Sequence, residues 1–251
     1  MNEPIKNNTI INGDCLSILP GIEDKSIDMV LCDLPYGITS CEWDKVINPK
    51  ELWDNYWRIT KNNAPVVLTA TQPFATDLVN AARKFFRYEI IWSKTRSTGF
   101  LNAKKMPLRK HENILVFYKA LPTYNPQFTE GKAYKTKSRS VSRIYRNAKR
   151  IETVNEGKRY PVSIQQFNHD KGGMHPTQKP VAMFEWLINT YTNVGDVVLD
   201  NCSGSGTTAI ACINTQRNYI CIEQDEKYFN SSLERVSQHL SKQREGGGES
   251  L

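Results

Sequence analysis

The sequence predicts an α/β fold with a mostly parallel sheet wrapped by helices. Short apolar runs typical of buried strands alternate with segments whose apolar residues repeat at helical spacing. Several of these runs end in acidic or glycine-containing segments, and parallel sheets bind ligands at the carboxyl ends of their strands. The length of 251 residues, 39% of them hydrophobic, suits one large α/β domain or one domain carrying an insertion.

The first part of the chain contains five predicted strands and two predicted helices. Trp53 and Trp57 lie one turn apart in a helix predicted over Leu52–Ile59. A second helix is predicted over Phe74–Phe86, because its apolar residues fall on one face. The strands are short runs rich in apolar residues: Thr9–Ile11, Asp28–Cys32, Pro65–Thr69, Tyr88–Trp92 and Asn113–Tyr118.

Residues 120–173 do not continue this alternation. The segment is rich in Lys, Arg, Ser, Asn and Tyr, and a loop this long inside a compact domain is usually functional or disordered. We interpret it as an insertion that contacts the binding partner. Such a basic segment is either a solvated loop or a surface that follows phosphate groups. Eight cations, with no acid among them, occupy its centre: Lys132, Lys135, Lys137, Arg139, Arg143, Arg146, Lys149 and Arg150.

Regular structure returns at Pro180, in the first turn of a helix that continues to Tyr191 and has Thr177 as a candidate N-cap. Residues 241–251 include three consecutive glycines and predict a disordered tail. The elements predicted between them are strand Val197–Leu199, helix Thr207–Ile213, strand Tyr219–Ile222 and helix Glu226–Leu240.

Composition narrows the function classes. No apolar run approaches the roughly 18 residues that span a membrane. The N-terminus lacks the basic and apolar regions of a signal peptide, so we expect a cytoplasmic protein. Six cysteines without a C-x-x-C pair predict buried, reduced thiols rather than a zinc site. The net charge of +7 favours a polyanionic partner.

Four residues, Asp33-Leu34-Pro35-Tyr36, directly follow the second predicted strand. Asp33 can accept hydrogen bonds from an amine, and Pro35 limits how the loop bends. Tyr36 offers a flat face on which a planar ring can stack. Together they suit the exocyclic amino group of an aromatic base, although four such residues also occur in ordinary turns.

A second candidate site is the segment Asp200–Thr208, which opens a helix directly after a strand. Its G-x-G spacing lacks the third glycine of a dinucleotide fingerprint, and it contains no phosphate loop. Glu223 ends the next strand, where an acid can bind both hydroxyls of a ribose. A nucleoside without phosphates fits this pattern, and S-adenosylmethionine is the candidate cofactor. The glycine turn alone is also compatible with a plain helix-opening turn.

Three motifs together resemble the amino-methyltransferases of DNA: Asp33–Tyr36, the turn 200–208, and His175-Pro176-Thr177-Gln178-Lys179-Pro180. The catalytic motif precedes the insertion and the cofactor turn, which is the circularly permuted order of the beta group. The resemblance covers residues 8–240 and implies a Rossmann-like, S-adenosylmethionine-dependent methyltransferase fold with a twisted sheet and helices on both faces. It implies a catalytic part (1–119), a basic target-recognition insertion (120–173) and a cofactor-binding part of the same domain (174–240).

The resemblance also assigns site residues. It implies that Asp14 accepts from the cofactor's adenine amino group, beside Cys15, and that Lys179 closes over the methionine end. The expected catalytic residues are Asp33, Leu34, Pro35 and Tyr36. The expected cofactor-binding residues are Asp14, Cys15, Lys179, Asp200, Ser203, Gly204, Gly206, Thr207 and Glu223. The eight cations between Lys132 and Arg150 are expected to bind DNA.

Two positions depart from the family pattern. Leu34 stands where the family usually has a proline, although the backbone carbonyl that would accept from the target amine remains. Asn201 and Cys202 stand where it usually has proline and phenylalanine, so an aromatic contact to the cofactor is missing or comes from elsewhere. The segment His111–Asn113 resembles a structural motif ahead of a strand and receives no catalytic role.

The expected activity is site-specific methylation of N6 of adenine in duplex DNA, with the base flipped out of the helix. Aspartate at position 33 resembles the adenine enzymes, whereas serine is usual in cytosine-N4 enzymes. Cytosine-N4 methylation, methylation of RNA or of a protein glutamine, and a non-enzymatic DNA-binding module are the alternatives. Members of the beta group are often dimers, but the sequence identifies no interface.

Overall fold

The computed structural model describes residues 5–37, 45–137, 152–170 and 178–246. They belong to two compact units, of which the smaller is 126–162 and the larger is the remainder of the chain. The smaller unit is shorter than the insertion predicted over 120–173, because residues on both sides of it belong to the larger unit.

Twelve strands and six α-helices lie within the described residues. The strands are β1 (Thr9–Asn12), β2 (Met29–Cys32), β3 (Val66–Ala70), β4 (Phe86–Thr98), β5 (Arg109–Phe117), β6 (Thr129–Glu130), β7 (Tyr134–Lys137), β8 (Glu152–Asn155), β9 (Lys158–Arg159), β10 (Ile164–Phe167), β11 (Val197–Asp200) and β12 (Asn218–Glu223). The helices are α1 (Cys15–Ile18), α2 (Pro49–Ile59), α3 (Phe74–Ala81), α4 (Val181–Tyr191), α5 (Thr207–Thr215) and α6 (Glu226–Gly246).

The larger unit contains an eight-stranded sheet in the order β1-β12-β11-β2-β3-β5-β4-β10. Every neighbouring pair is parallel except the two that involve β5, which runs antiparallel to both β3 and β4. Seven of the eight strands therefore point the same way, as the predicted mostly parallel sheet requires. Their carboxyl ends meet at one edge, where a ligand site is expected.

Helices cover both faces of this sheet because successive residues of the central strands point to opposite sides. On β2, Val30 packs in a core with α2 and α3, and Leu31 packs in a second core with α4 and α5. All four residues of β2 are buried, which explains why the strand reads as a continuous apolar run. The predicted fold class is confirmed.

The helix predicted over Phe74–Phe86 ends earlier than expected, at Ala81, and β4 begins at Phe86. The two aromatic residues of this junction pack outside the helix. The Phe85 ring lies 4.4 Å from Trp57, and the Phe86 ring lies 5.5 Å from Phe117 on β5 (centroid distances). At this junction, aromatic contacts with α2 and β5 thus outweigh the helical spacing of the apolar residues in the sequence.

The structure differs from the sequence-based expectations at two further places, one within the predicted insertion and one in the predicted tail. Residues 164–167 form β10, which pairs with β4 at the edge of the sheet. The tail predicted over 241–251 is helical through Gly246, and residues 247–251 lie outside the described part. Helix formers such as Lys242 and Arg244 favour this extension. Gln243 also donates a hydrogen bond to the side-chain oxygen of Asn214 at 3.1 Å.

The smaller unit consists of two antiparallel strand pairs, β6 with β9 and β7 with β8. Lys135 Nζ lies 3.1 Å from a carboxylate oxygen of Glu152 across β7 and β8. The Arg159 guanidinium lies 4.7 Å from the ring centroid of Tyr134. Within its described residues the unit is therefore held by small pairings, and apolar side chains such as Val154 and Tyr160 are exposed.

The basic run predicted to bind DNA lies only partly within the described residues. Lys132 and Lys135 are exposed on the smaller unit, and Lys137 ends β7. The other five cations lie outside the described residues: Arg139, Arg143, Arg146, Lys149 and Arg150.

The described cysteines are free thiols, namely Cys15, Cys32, Cys202, Cys212 and Cys221, and four of them are buried. Cys41 lies outside the described residues. Within the described part of the chain, His, Cys, Asp and Glu side chains form no group that could hold a metal ion. Among the same residues, no helix is both long and apolar enough to cross a membrane.

Candidate active site

A cavity of about 660 Å³ opens at the carboxyl ends of the parallel strands. It is lined by residues at the ends of β1, β2, β11 and β12, which are Gly13, Asp33, Asp200 and Glu223. Its volume is within the range of roughly 300–1,000 Å³ of small-molecule sites. The predicted site residues that line it are Asp14, Cys15, Asp33, Leu34, Pro35, Tyr36, Lys179, Asp200, Ser203, Gly204, Thr207 and Glu223.

The Asp33 carboxylate is held by three side chains. The Tyr36 hydroxyl donates to Oδ1 at 2.7 Å, and the Thr69 hydroxyl donates to the same oxygen. Lys179 Nζ lies 2.8 Å from Oδ2. Because these partners come from the loop after β2, from β3 and from the segment before α4, the carboxylate is fixed in orientation at the cavity wall.

Lys179 is also part of a buried chain of alternating charges. Its Nζ lies 3.1 Å from Oε2 of Glu112, and Oε1 of Glu112 is paired with Lys94. Lys179 is 7% exposed and Glu112 is 8% exposed. The order Asp33–Lys179–Glu112–Lys94 brings two carboxylates and two ammonium groups together with no net charge, as buried ions require.

The pKa shifts in this chain follow from its charges. Burial alone would lower the pKa of Lys179, but the surrounding groups, Asp33 foremost, raise it well above its usual value. Burial alone would raise the pKa of Glu112, but Lys179 and Lys94 lower it. Both side chains are therefore ionised at neutral pH, and the Lys179 ammonium is shared between two carboxylates.

The rest of the Asp33–Tyr36 motif lines the cavity and is partly or fully buried. Burial, followed by the charge of Asp33, raises the pKa of Tyr36 well above its usual value. The Tyr36 ring lies 5.4 Å from the Phe74 ring at 35°, and Lys179 Nζ lies 5.6 Å from its centroid. Leu34, the departure from the family pattern, is buried in the core on the α2 and α3 side. At the position where the family pattern has a proline, the Leu34 side chain therefore packs against other apolar side chains of this core.

Asp200 ends β11 and is buried. Its Oδ1 accepts from the backbone N–H of Cys202 at 3.1 Å, and its Oδ2 accepts from the Thr208 hydroxyl. Burial raises its pKa to about 7, although these hydrogen bonds oppose the shift. Asp200 is therefore an acid that titrates near neutral pH at the floor of the cavity.

Glu223 and the glycine turn are joined directly. One carboxylate oxygen of Glu223 accepts from the N–H of Gly204 at 2.7 Å, and the other accepts from the N–H of Asp225 at 2.8 Å. Burial raises the pKa of Glu223. Asp14 lines the same cavity and also caps α1, because its Oδ2 accepts from the Ser17 N–H at 2.9 Å.

The second departure from the family pattern has a structural explanation. The buried Tyr56 hydroxyl donates to the side-chain oxygen of Asn201. Hydrogen bonding from Cys202, the largest effect, lowers the pKa of the neighbouring Cys15 thiol. Both Asn201 and Cys202 line the cavity, so its wall is polar where the family pattern has an aromatic ring.

One predicted site residue does not line the cavity, and part of one predicted motif lies outside the described residues. Gly206 does not line it: the residue has φ +76°, and an added Cβ would lie 3.1 Å from Cβ of Ser232. Glycine is therefore needed there for close packing against α6. His175, Pro176 and Thr177 lie outside the described residues, which also leaves the predicted N-cap unplaced; α4 is preceded by Pro180.

Sequence reasoning missed Thr69 and Lys94, and it gave Glu112 no role. The last two are recognisable as a pair only once the register of the strands is known. Trp92 on β4 pairs with Glu112 on β5, so Lys94, two residues further along, lies on the same face and diagonally across from Glu112. A lysine and a glutamate facing each other at the ends of two apolar strands indicate a buried pair.

The residues present fit S-adenosylmethionine. The Ser203 hydroxyl lines the cavity, is buried, and has no hydrogen-bond partner among the described residues. A bound ligand with polar groups would supply the partner that a buried hydroxyl needs. Asp200 and Glu223 offer carboxyl groups for an ammonium and for ribose hydroxyls, and no phosphate-binding loop is present.

The chain matches a family model described as DNA methylase (N6_N4_Mtase) over residues 27–234. DNA adenine methyltransferase YhdJ of Escherichia coli K12 is 31% identical over 259 residues, covering 93% of this chain and 84% of the relative. Type II methyltransferase M2.MboI of Moraxella bovis is 27% identical over 263 residues, covering 92% and 88%.

Solved structures share the fold. The M1.HpyAVI–SAM complex superposes with a TM-score of 0.63 at 24% identity, covering 90% of this chain and 98% of that one. PvuII DNA methyltransferase, described as cytosine-N4-specific, gives a TM-score of 0.66 at 14% identity, covering 94% and 92%. The chain therefore belongs to the N6/N4 DNA methylase family, the S-adenosylmethionine-dependent amino-methyltransferases of DNA.

Proposed function

We propose that this enzyme methylates N6 of adenine in duplex DNA. The observation that carries the proposal is that the Asp33 carboxylate shares one cavity with Glu223 and Asp200. An acceptor for an amine and an acid for a ribose are thus present in one space large enough for both ligands. Two further features favour adenine: an aspartate, rather than a serine, at position 33, and the 31% identity to an adenine methyltransferase.

The chemistry needs a fixed amine and a stabilised charge. When bound, S-adenosylmethionine supplies an electrophilic methyl group on a sulfonium. Asp33 and the backbone carbonyl of Leu34 accept the two hydrogens of the target amine, which aligns the nitrogen for attack. Both acceptors bind more strongly as positive charge builds on that nitrogen, so they stabilise the transition state more than the ground state. Tyr36 stacks on the base.

Glu112 and Lys94 act as positioning residues. Lys179 holds the Asp33 carboxylate in place. If Asp33 were its only partner, the full charge of the ammonium would weaken Asp33 as a hydrogen-bond acceptor for the target amine. Because Glu112 binds the same ammonium at 3.1 Å, that charge is divided between two carboxylates. Lys94 in turn neutralises Glu112. The result is an Asp33 that is fixed and still electron-rich.

The remaining cavity residues hold the cofactor in this proposal. Glu223 binds the ribose hydroxyls, and Asp14 with Cys15 binds the adenine. Asp200, Lys179 and the turn residues Ser203, Gly204 and Thr207 contact the methionine end. The basic run that includes Lys132 and Lys135 binds the DNA backbone within the target-recognition insertion, proposed over 120–173.

Cytosine-N4 methylation is the second candidate. It is supported by the fold shared with PvuII DNA methyltransferase, described as cytosine-N4-specific. Both reactions need an acceptor for an exocyclic amine, so the cavity chemistry does not separate them, and Asp33 is the feature that favours adenine.

The test is to incubate the enzyme with unmethylated plasmid DNA and labelled S-adenosylmethionine, digest the DNA to nucleosides and separate them. Label in N6-methyl-2′-deoxyadenosine supports the proposal. Label in N4-methyl-2′-deoxycytidine supports the second candidate instead, and DNA that acquires no label contradicts both. An Asp33→Ala variant should leave the DNA unlabelled while still binding the cofactor.

A further inference from the structure

An exposed apolar loop lies between β4 and β5. We call residues 99–108 the rim loop. Every residue from Phe100 to His111 is exposed. Two large apolar side chains are almost entirely in solvent: Phe100 is 80% exposed and Leu101 is 99% exposed. Met106 and Leu108 are exposed as well. Neighbouring large apolar side chains left in water usually mark a binding surface.

The rim loop has a defined backbone conformation. Gly99 has φ +85°, which turns the chain out of β4, and Phe100–Asn102 form a 3-10 turn. The carbonyl of Asn102 accepts from the N–H groups of Lys105 at 2.8 Å and Met106 at 3.0 Å. These two successive turns define the backbone of the loop, and the side chains of Phe100 and Leu101, which we call the apolar tip, remain in solvent.

The loop and the residues that directly flank it carry only positive charge. Between Thr95 and His111 there is no acid. The cations are Arg96, Lys104, Lys105, Arg109 and Lys110. A second copy of such a surface would repel the first, whereas a polyanion would be attracted.

The rim loop is attached at the edge of the cavity. Thr98 and Arg109, which pair at the end of the hairpin, both line the cavity, as does His111. Thr98 also donates a hydrogen bond to the carbonyl of Arg109 at 3.4 Å. The apolar tip thus extends from the wall of the space that contains Asp33.

We propose that the rim loop binds the DNA duplex at the target base, with Phe100 and Leu101 filling the gap that the extruded base leaves. The inference rests on the proposed function, in which a base leaves the helix to reach Asp33. Apolar side chains inserted between base steps stabilise unstacked DNA, and cations beside them neutralise phosphates. Lys104 and Lys105, next to the tip, contact the flanking backbone.

The test begins by mapping the methylated site in plasmid DNA treated with the wild-type enzyme. Two short duplexes containing that site are then made, one fully paired and one with an abasic position opposite the target base. Phe100→Ala/Leu101→Ala should lower the methylation rate on the paired duplex about tenfold or more, since unstacking a base requires a few kcal/mol. On the abasic duplex, where the target is already unpaired, most of the rate should return.

Val194→Ala is the matched control, because Val194 is 66% exposed in the same unit and lies just before the amino end of β11, whereas the cavity opens at the carboxyl ends of the strands. It should match wild type on both duplexes. Equal loss by the double variant on both duplexes, or no loss, overturns the proposal while wild-type methylation still supports the proposed function. A wild-type enzyme that methylates no DNA base refutes the function itself.

A charge variant tests the phosphate contacts separately. Lys104→Gln/Lys105→Gln should reduce the slope of log binding constant against log salt by about 2, because each lysine neutralises one phosphate. Lys242→Gln on α6 is the control and should leave the slope unchanged. An unchanged slope in the double variant contradicts the backbone contacts. Loss of a dimer in the Phe100→Ala/Leu101→Ala variant would instead identify a second copy as the occupant.

Discussion

Asp33 and Asp200 lie at the ends of adjacent strands, β2 and β11, and line one cavity, but their surroundings differ. Asp33 is paired with an ammonium group, Lys179, that is itself part of a chain of buried charges. Asp200 is more deeply buried and is held by hydrogen bonds alone, and burial raises its pKa to about 7. The same residue type at the same edge of a sheet is thus ion-paired with a lysine in one place and, in the other, held by neutral hydrogen-bond donors with a raised pKa.

The largest effect should come from Asp33→Asn. The amide keeps the shape but loses the charge that stabilises the developing positive nitrogen, so kcat should fall about a hundredfold or more. Single-turnover methylation of the mapped duplex measures this. A variant that methylates at the wild-type rate would remove the proposed role of Asp33.

Asp200 predicts a stability that depends on pH. Its pKa of about 7 exceeds the ordinary value of 3.8, so the folded protein keeps a proton that the unfolded chain releases between about pH 4 and 7. Stability from this group is therefore present at low pH and is lost as the pH rises through that window. The difference of about 3 pH units corresponds to at most about 4 kcal/mol.

Urea unfolding without cofactor at pH 5 and pH 8 checks this, with Asp200→Asn as the reference. Wild type should lose stability relative to the variant on going to pH 8. The same difference between the two proteins at both pH values would show that Asp200 does not titrate in this range.

Glu112→Gln tests the charge chain around Asp33. It leaves the buried Lys94 without its partner and Lys179 with one carboxylate, which should cost about 3 kcal/mol of stability and lower kcat. Lys94→Met with Glu112→Gln removes the stranded charge, so most of the stability should return. The lowered kcat should persist, because Lys179 then contacts Asp33 alone. Recovery of both quantities would mean that Glu112 is only structural.

The smallest effects are expected from alanine substitutions of Gly204 and Gly206, the two glycines of the turn after Asp200, and they should differ between the two positions. Gly206→Ala combines a left-handed backbone with a Cβ 3.1 Å from Ser232, and should cost about 2 kcal/mol. Gly204 has φ +52° and open space around the added Cβ, so its variant should cost about 1 kcal/mol. Only Gly204 lines the cavity, so only Gly204→Ala should weaken cofactor binding in calorimetry. Weaker binding in Gly206→Ala alone would reverse this assignment.

Local patterns explain what the sequence predicted well. The apolar runs of β2 and β11, each followed by an aspartate, are continuous in the chain, so fold class and cavity edge could be predicted from neighbouring residues. The chain of charges from Asp33 to Lys94 could not be predicted in this way. It depends on the register of β4 against β5, which places Lys94 diagonally across from Glu112. The packing of Gly206 on Ser232 likewise depends on where α6 lies.

The rim loop illustrates a different limit. Its large apolar residues form two short groups, Phe100-Leu101 and Met106-Pro107-Leu108, and the sequence alone does not say whether Phe100 and Leu101 are buried. Only the turn after Gly99 and the pairing of Thr98 with Arg109 show that they extend into solvent beside the cavity. The basic run from Lys132 to Arg150 was conspicuous in sequence for the opposite reason, since charge is visible without a fold.

The central claim is that the two aspartates act on different ligands, Asp33 on the target amine and Asp200 on the cofactor. Calorimetric titration of S-adenosylmethionine into Asp33→Asn and Asp200→Asn tests it directly, at pH 8 where wild-type Asp200 is largely ionised. The account predicts wild-type affinity for Asp33→Asn and affinity about tenfold weaker for Asp200→Asn, since an ionic hydrogen bond contributes about 1.5–3 kcal/mol. Weakened binding in Asp33→Asn with wild-type binding in Asp200→Asn would contradict it.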